Sequence, residues 1–216
     1  MRRVASCECV DVINESIYWR RDLFRSAEEL RRKATQRVWR AATAAVIERT
    51  LMVGAFSCRR LLDSKKVESG LVKKKIVISR VQFSGTEPRY WHENPGWFPE
   101  LFELYDFAGA TDCAVPLGEL LNQLIHSHHL VYLRVDGDLL VLVASDRKRH
   151  SGLFAVWLSQ VAVIFEEVSL TEPEYVVNGY RKDRGRYDLQ AEGSMVSDRL
   201  VDWGFAKQVE LVRGPR

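Results

Sequence analysis

His129-Leu-Val-Tyr-Leu-Arg-Val135, Asp136-Gly137-Asp138 and Leu139-Leu-Val-Leu-Val-Ala-Ser145 form the stretch from which the fold is read. Two apolar, β-branched runs flank an Asp-Gly step, the combination that favours a β-hairpin because both turn residues tolerate positive φ. A lone hairpin is only marginally stable in water. A third strand is therefore expected from Leu153 to Trp157, across the turn from Asp146 to Gly152, with Ser159 capping a closing helix through Val168. Upstream, Lys74 to Phe83 is β-branched and also reads as strand.

Immediately before the hairpin, Pro116 suits the first turn of a helix, with Thr111 or Asp112 as caps. Leu117, Leu120, Leu121, Leu124 and Ile125 give that helix a broad apolar face, and it ends around Ser127. Between Gly85 and Pro99 lies a long loop in which Tyr90, Trp91, Trp97 and Phe98 are expected to pin the chain onto the core.

The N-terminal third reads as helix. Ser26-Ala-Glu-Glu29 has the form of a capping box, and Leu23, Ala27, Leu30, Ala34, Val38, Ala41 and Ala45 follow at steps of three and four. The stripe continues through Ile47, Leu51, Ala55, Cys58 and Leu62, so residues 27–65 are expected to form one long helix or two stacked ones, with Gly54 the weak point. A short helix over Ile13 to Phe24 precedes them. Beyond Pro173, glycines and charges dominate, and only Ser197 to Val212 reads as helix.

The expected class is α+β: a helix-rich bundle with a small antiparallel sheet of two or three strands. The main domain is taken as 1–170, with 171–216 as a peripheral C-terminal extension. A chain of 216 residues, 46% hydrophobic and 28% charged, can bury a core of its own and has neither the composition of a disordered chain nor that of a fibre. No period suggests a repeat.

Charge is distributed unevenly. Residues 1–80 hold 19 Lys/Arg against 9 Asp/Glu, whereas residues 81–130 hold 1 against 7. A basic segment attracts phosphate backbones, and it can equally complement an acidic segment of the same fold. Met-Arg-Arg leads straight into Cys7, Glu8, Cys9 and Asp11, so no signal peptide is expected, and the apolar run Leu153 to Phe165 is too short to span a bilayer. Cytoplasmic location without a membrane partner is the expectation, and the four scattered cysteines fit reduced thiols. A Cys7–Cys9 pair lacks a second pair at zinc-finger spacing. His126, His128 and His129 with Asp146 or His150 offer an alternative metal set; the reading adopted assigns neither metal nor cofactor. No phosphate-binding glycine loop, serine elbow or zinc-protease motif occurs.

Residues 120–127, Leu-Leu-Asn-Gln-Leu-Ile-His-Ser, resemble the signature helix of the HEPN superfamily, in which an arginine, a polar residue, several mostly apolar residues and a histidine occur in order. Asn122 and His126 match the polar and histidine positions, and Leu121 stands where the arginine belongs. The helix from Glu48 through Leu62 looks like a bundle helix of the same superfamily, so the likeness extends loosely over residues 27–127. The resemblance implies metal-free RNA cleavage in active members, a homodimer built on the signature helices, and a setting in bacterial defence or toxin–antitoxin systems. Neutral imidazole can take a proton from a ribose 2′-OH while a guanidinium stabilises the charged phosphate. Leucine at 121 argues for a non-catalytic relative.

The leading expectation is therefore a HEPN-like, non-catalytic component that binds RNA or a protein. Asn122 and His126 are the candidate catalytic positions, and Arg31, Arg32, Arg37, Arg40, Arg59 and Arg60 the candidate RNA contacts. One alternative is a metal-independent endoribonuclease using His126, with an arginine recruited from Arg49, Arg59, Arg60 or Arg134. Another is an assembly protein whose basic helix binds an acidic partner. The plainest alternative makes Asn122 and His126 hydrogen-bonded structural residues at a helix end.

Overall fold

A computed structural model of the protein describes residues 16–85, 98–173, 175–181, 186–192 and 195–196. Three helices, α1 (Ser16–Ala34), α2 (Ala41–Asp63) and the single-turn α3 (Ser69–Lys73), lead into β1 (Lys75–Phe83). Then come α4 (Phe98–Leu104), β2 (Tyr105–Pro116), α5 (Leu117–Ile125), β3 (Ser127–Val135), β4 (Asp138–Ser145), β5 (Leu153–Trp157) and α6 (Leu158–Leu170). The short β6 (Thr171–Glu172), β7 (Tyr175–Arg181), β8 (Arg186–Glu192) and β9 (Met195–Val196) follow.

β3 and β4 form the hairpin, with Val135 opposite Asp138 and both turn residues, Asp136 (φ 48°) and Gly137 (φ 87°), in the left-handed region. They belong to a five-stranded antiparallel sheet of order β2-β1-β5-β4-β3. Among the described residues the structure is α+β with six helices and this five-stranded sheet, which overturns the expected helix-rich bundle with two or three strands. The reason lies in β1 and β2. β1 pairs with β5 and so extends the hairpin sheet, and β2 adds itself to the outer edge of β1. As an edge strand with mostly exposed side chains, β2 carries no alternation of apolar and polar residues by which to recognise it. Pro116, expected inside the helix, is the last residue of β2, and α5 begins at Leu117.

One sheet face presents Ile76, Ile78, Val141, Val143, Phe154 and Val156 to the helices α1, α2, α5 and α6. The other presents Val81, Leu142, Ala144, Leu153 and Ala155 to Leu101 and Leu104 of α4. β4 is thus buried on both sides, and its sequence is a continuous apolar run.

Ser26 does not start a helix. It lies in the second half of α1, where its hydroxyl donates to the Asp22 carbonyl at 2.9 Å. The 27–65 stripe is split between α1 and α2, and the interruption leaves Val38, Ala41 and Ala45 exposed. Arg134 of β3 holds the gap open by donating to the carbonyls of Ala34 (3.3 Å) and Gln36. Gly54 is not a weak point: α2 runs through it, and the Phe165 ring of α6 occupies the space that a Cβ at this position would take. By length and composition α2 could cross a membrane, although the apolar run from Leu153 to Phe165 lies elsewhere. Ile47, Leu51, Ala55, Cys58, Leu61 and Leu62 nevertheless pack into the core shared with α1, α5 and α6.

The chain from Thr171 onward contains strands that its composition did not announce: β6 pairs with β9, and β7 with β8. The aromatic residues Tyr90, Trp91 and Trp97, the Cys7–Cys9 pair and the 197–212 helix lie outside the described residues.

Candidate functional site

α5 carries Leu117, Leu120, Leu121 and Leu124 into the core, which turns the opposite face outward. Asn122 and His126, four residues apart, therefore share an exposed face at the end of the helix. Leu121 is 1% exposed, so the position that would hold an arginine in the resemblance is filled by core packing. His126 is the C-cap residue, and its backbone N–H donates to the Asn122 carbonyl at 3.0 Å.

Two contacts bring a second segment up to this helix end. Buried Gln123 accepts the Ser145 backbone N–H through Oε1 at 2.7 Å, tying the end of α5 to the end of β4. The turn then closes with the Lys148 N–H on the Ser145 carbonyl at 2.9 Å. A cleft of about 690 Å³ results, lined by Asn122, Gln123, His126 and Ser127 on one side and Ser145, Asp146, Arg147 and Lys148 on the other. Arg147 and Lys148 are exposed and make no ion pair with a described residue. The carbonyl end of α5 carries partial negative charge, so an anion would sit toward Arg147 and Lys148.

Behind the cleft, Arg149 is 9% exposed and organises the remaining imidazoles. Its Nη1 forms an ion pair with Asp146 Oδ1 and donates to His128 Nε2, both at 3.0 Å, and its carbonyl accepts the Tyr105 hydroxyl at 3.0 Å. Since guanidinium only donates, His128 Nε2 must be the acceptor. His129 is buried beside the rings of His128 and Tyr105. Burial lowers its pKa to about 4, helped by His128, Arg149 and His150 and opposed by Asp146. A guanidinium among these imidazoles opposes a divalent cation, and no group of three metal-ligating side chains occurs among the described residues.

The candidate RNA contacts are dispersed. Arg31 pairs with Glu166 of α6, and Arg32 with Glu29 one turn earlier. Arg37 and Arg40 lie in the α1–α2 connection, Arg40 as the N-cap residue of α2. Arg59 pairs with Asp63 at 2.9 Å and lies against Gly118 at the start of α5. Arg60 is in the last turn of α2. None of Arg49, Arg59, Arg60 or Arg134 lines the cleft; among the described residues the arginine that does is Arg147. The signal for it was present in Asp146-Arg-Lys-Arg-His150, which reads from sequence as a connecting turn. The hydrogen bond from Ser145 to Gln123 is what brings that turn to α5.

Compared with known proteins, the chain matches no family model, no curated relative and no solved structure.

Proposed function

We propose that the chain is an RNA-associated protein that holds a phosphate-bearing strand in the cleft between α5 and the β4–β5 turn. The observation that carries this reading is the convergence of Arg147 and Lys148, free of described ion pairs, with Asn122 and His126 on one open cleft. Cations of this kind attract phosphate, and an amide and an imidazole can add hydrogen bonds to sugar or base. The HEPN likeness of residues 120–127 and the basic N-terminal third support the same partner.

A second reading, metal-independent RNA cleavage, is favoured by one specific feature. Arg147 lines the same cleft as His126, and its guanidinium would take the part that Leu121 cannot. His126 would take the 2′-OH proton, and Arg147 would face the phosphate.

The test uses purified protein and mixed labelled single-stranded RNAs in EDTA over a range of salt, with His126→Ala and the double variant Arg147→Glu/Lys148→Glu. Retention without cleavage, weakened at least tenfold by the double variant and steeply by salt, is expected. Cleavage that disappears in His126→Ala would replace binding with catalysis. Undiminished retention by the double variant would remove the cleft from RNA binding altogether.

A further inference from the structure

At the other end of β3 a second, smaller pocket of about 310 Å³ is lined by Arg37, Trp39, Tyr132, Arg134 and Leu139. The Trp39 and Tyr132 rings, both half-buried, stand 6.0 Å apart at 47°. Arg134 lies over Trp39, 5.8 Å from the ring centroid, and its bonds to the Ala34 and Gln36 carbonyls fix it there. Arg37 is exposed and has no partner among the described residues. Among the described residues no acidic side chain lines the pocket; Glu48 is a carboxylate whose charge reaches Tyr132. Trp39 Nε1 and the Tyr132 hydroxyl are buried without a described partner.

Aromatic rings beside arginines are the elements of a sequence-tolerant nucleobase platform, in which the ring takes the base and the guanidinium its phosphate. The alternative is that Trp39 and Arg134 merely anchor the α1–α2 connection. That role accounts for Arg134 and Trp39 but gives nothing to Arg37. β3 links the two places: Ser127 lines the large cleft and Arg134 the small pocket, roughly 23 Å apart at about 3.3 Å per residue. Among the described residues β3 is also an edge strand, paired with β4 alone.

We infer that the Arg37–Trp39–Tyr132–Arg134 pocket is a second subsite for the same single-stranded RNA, taking a base and its phosphate several nucleotides from the cleft, with the strand following β3. This rests on the RNA-binding reading of the cleft.

Affinities are measured for a single-stranded RNA of about ten nucleotides, able to reach both places, and for one of about three, able to occupy only one. Proteins compared are wild type, Arg37→Glu and the double variant Arg147→Glu/Lys148→Glu. Arg37→Glu should weaken the long RNA at least tenfold and the short one less than twofold, and the cleft variant should weaken both. If Arg37→Glu leaves the long RNA unchanged while the cleft variant weakens it, the second subsite is wrong and the cleft reading stands. If wild type binds neither RNA, the cleft reading fails and this inference with it. Circular dichroism of Arg37→Glu, whose side chain is exposed, separates lost binding from lost fold.

Discussion

His129 shows how the crowding of imidazoles at one end of the sheet acts on a single residue. Four of the chain's five histidines, at 126, 128, 129 and 150, lie in or next to the cleft, and His129 is the one that is fully enclosed. Its pKa of about 4 lies below the usual value near 6.5, so the unfolded chain binds the proton more tightly than the fold does. The contribution of His129 is therefore constant above about pH 6.5 and falls as pH drops from there toward 4, by no more than roughly 3 kcal/mol at about 1.4 kcal/mol per pKa unit, solvent screening making it smaller. Urea midpoints of wild type measured between these limits should fall more steeply than those of His129→Gln. Parallel pH profiles would show that His129 is not a source of the acid sensitivity.

Between elements, the approach of α2 to α6 depends on the absence of one side chain. Gly54 lets the Phe165 ring rest against the α2 backbone, and Phe165 is fully buried. Alanine normally improves a helix interior by up to about 1 kcal/mol over glycine. Here the added methyl would enter the ring, and overpacking of this kind costs about 1–3 kcal/mol. Gly54→Ala should lower the urea midpoint, and Gly54→Ala/Phe165→Leu should recover part of the loss, because the two positions share one space. A stabilised Gly54→Ala would mean that α2 and α6 stand farther apart. The glycine was visible in the sequence, but its meaning was not: Phe165 is 111 residues away along the chain, and only the packing of the two helices makes them neighbours.

For the molecule as a whole, Arg20 ties the first helix to the region where the core helices end. It is fully buried, and its guanidinium reaches the carbonyls of Val168 (3.2 Å), Ser169 (3.3 Å), Thr171 and Lys66, with Glu172 3.5 Å from Nε. Burial lowers its pKa to about 10 against the pull of Glu172, so the group remains charged at neutral pH. One side chain thus satisfies carbonyls at the C-terminus of α6 and in the turn after α2. Arg20→Met keeps much of the volume and removes every donor; loss of about 3–5 kcal/mol is expected. Arg20→Lys should recover little of it, since an ammonium lacks the planar fork. Chemical denaturation monitored by far-ultraviolet circular dichroism would read both, and a full rescue by lysine would show that charge alone is required. What the amino-acid order determined by itself was local: the Asp136-Gly137 hairpin, the strands from 74 to 83 and 153 to 157, the apolar stripes of the helices, and the shared face of Asn122 and His126. Each rests on backbone preferences or on periodicity within a few residues. The tertiary structure alone decided that β2 joins the sheet, that α1 and α2 part where Arg134 reaches the Ala34 carbonyl, and that Arg147 lines one cleft with His126. Those outcomes depend on contacts between residues 22 to 100 positions apart, which no local pattern contains.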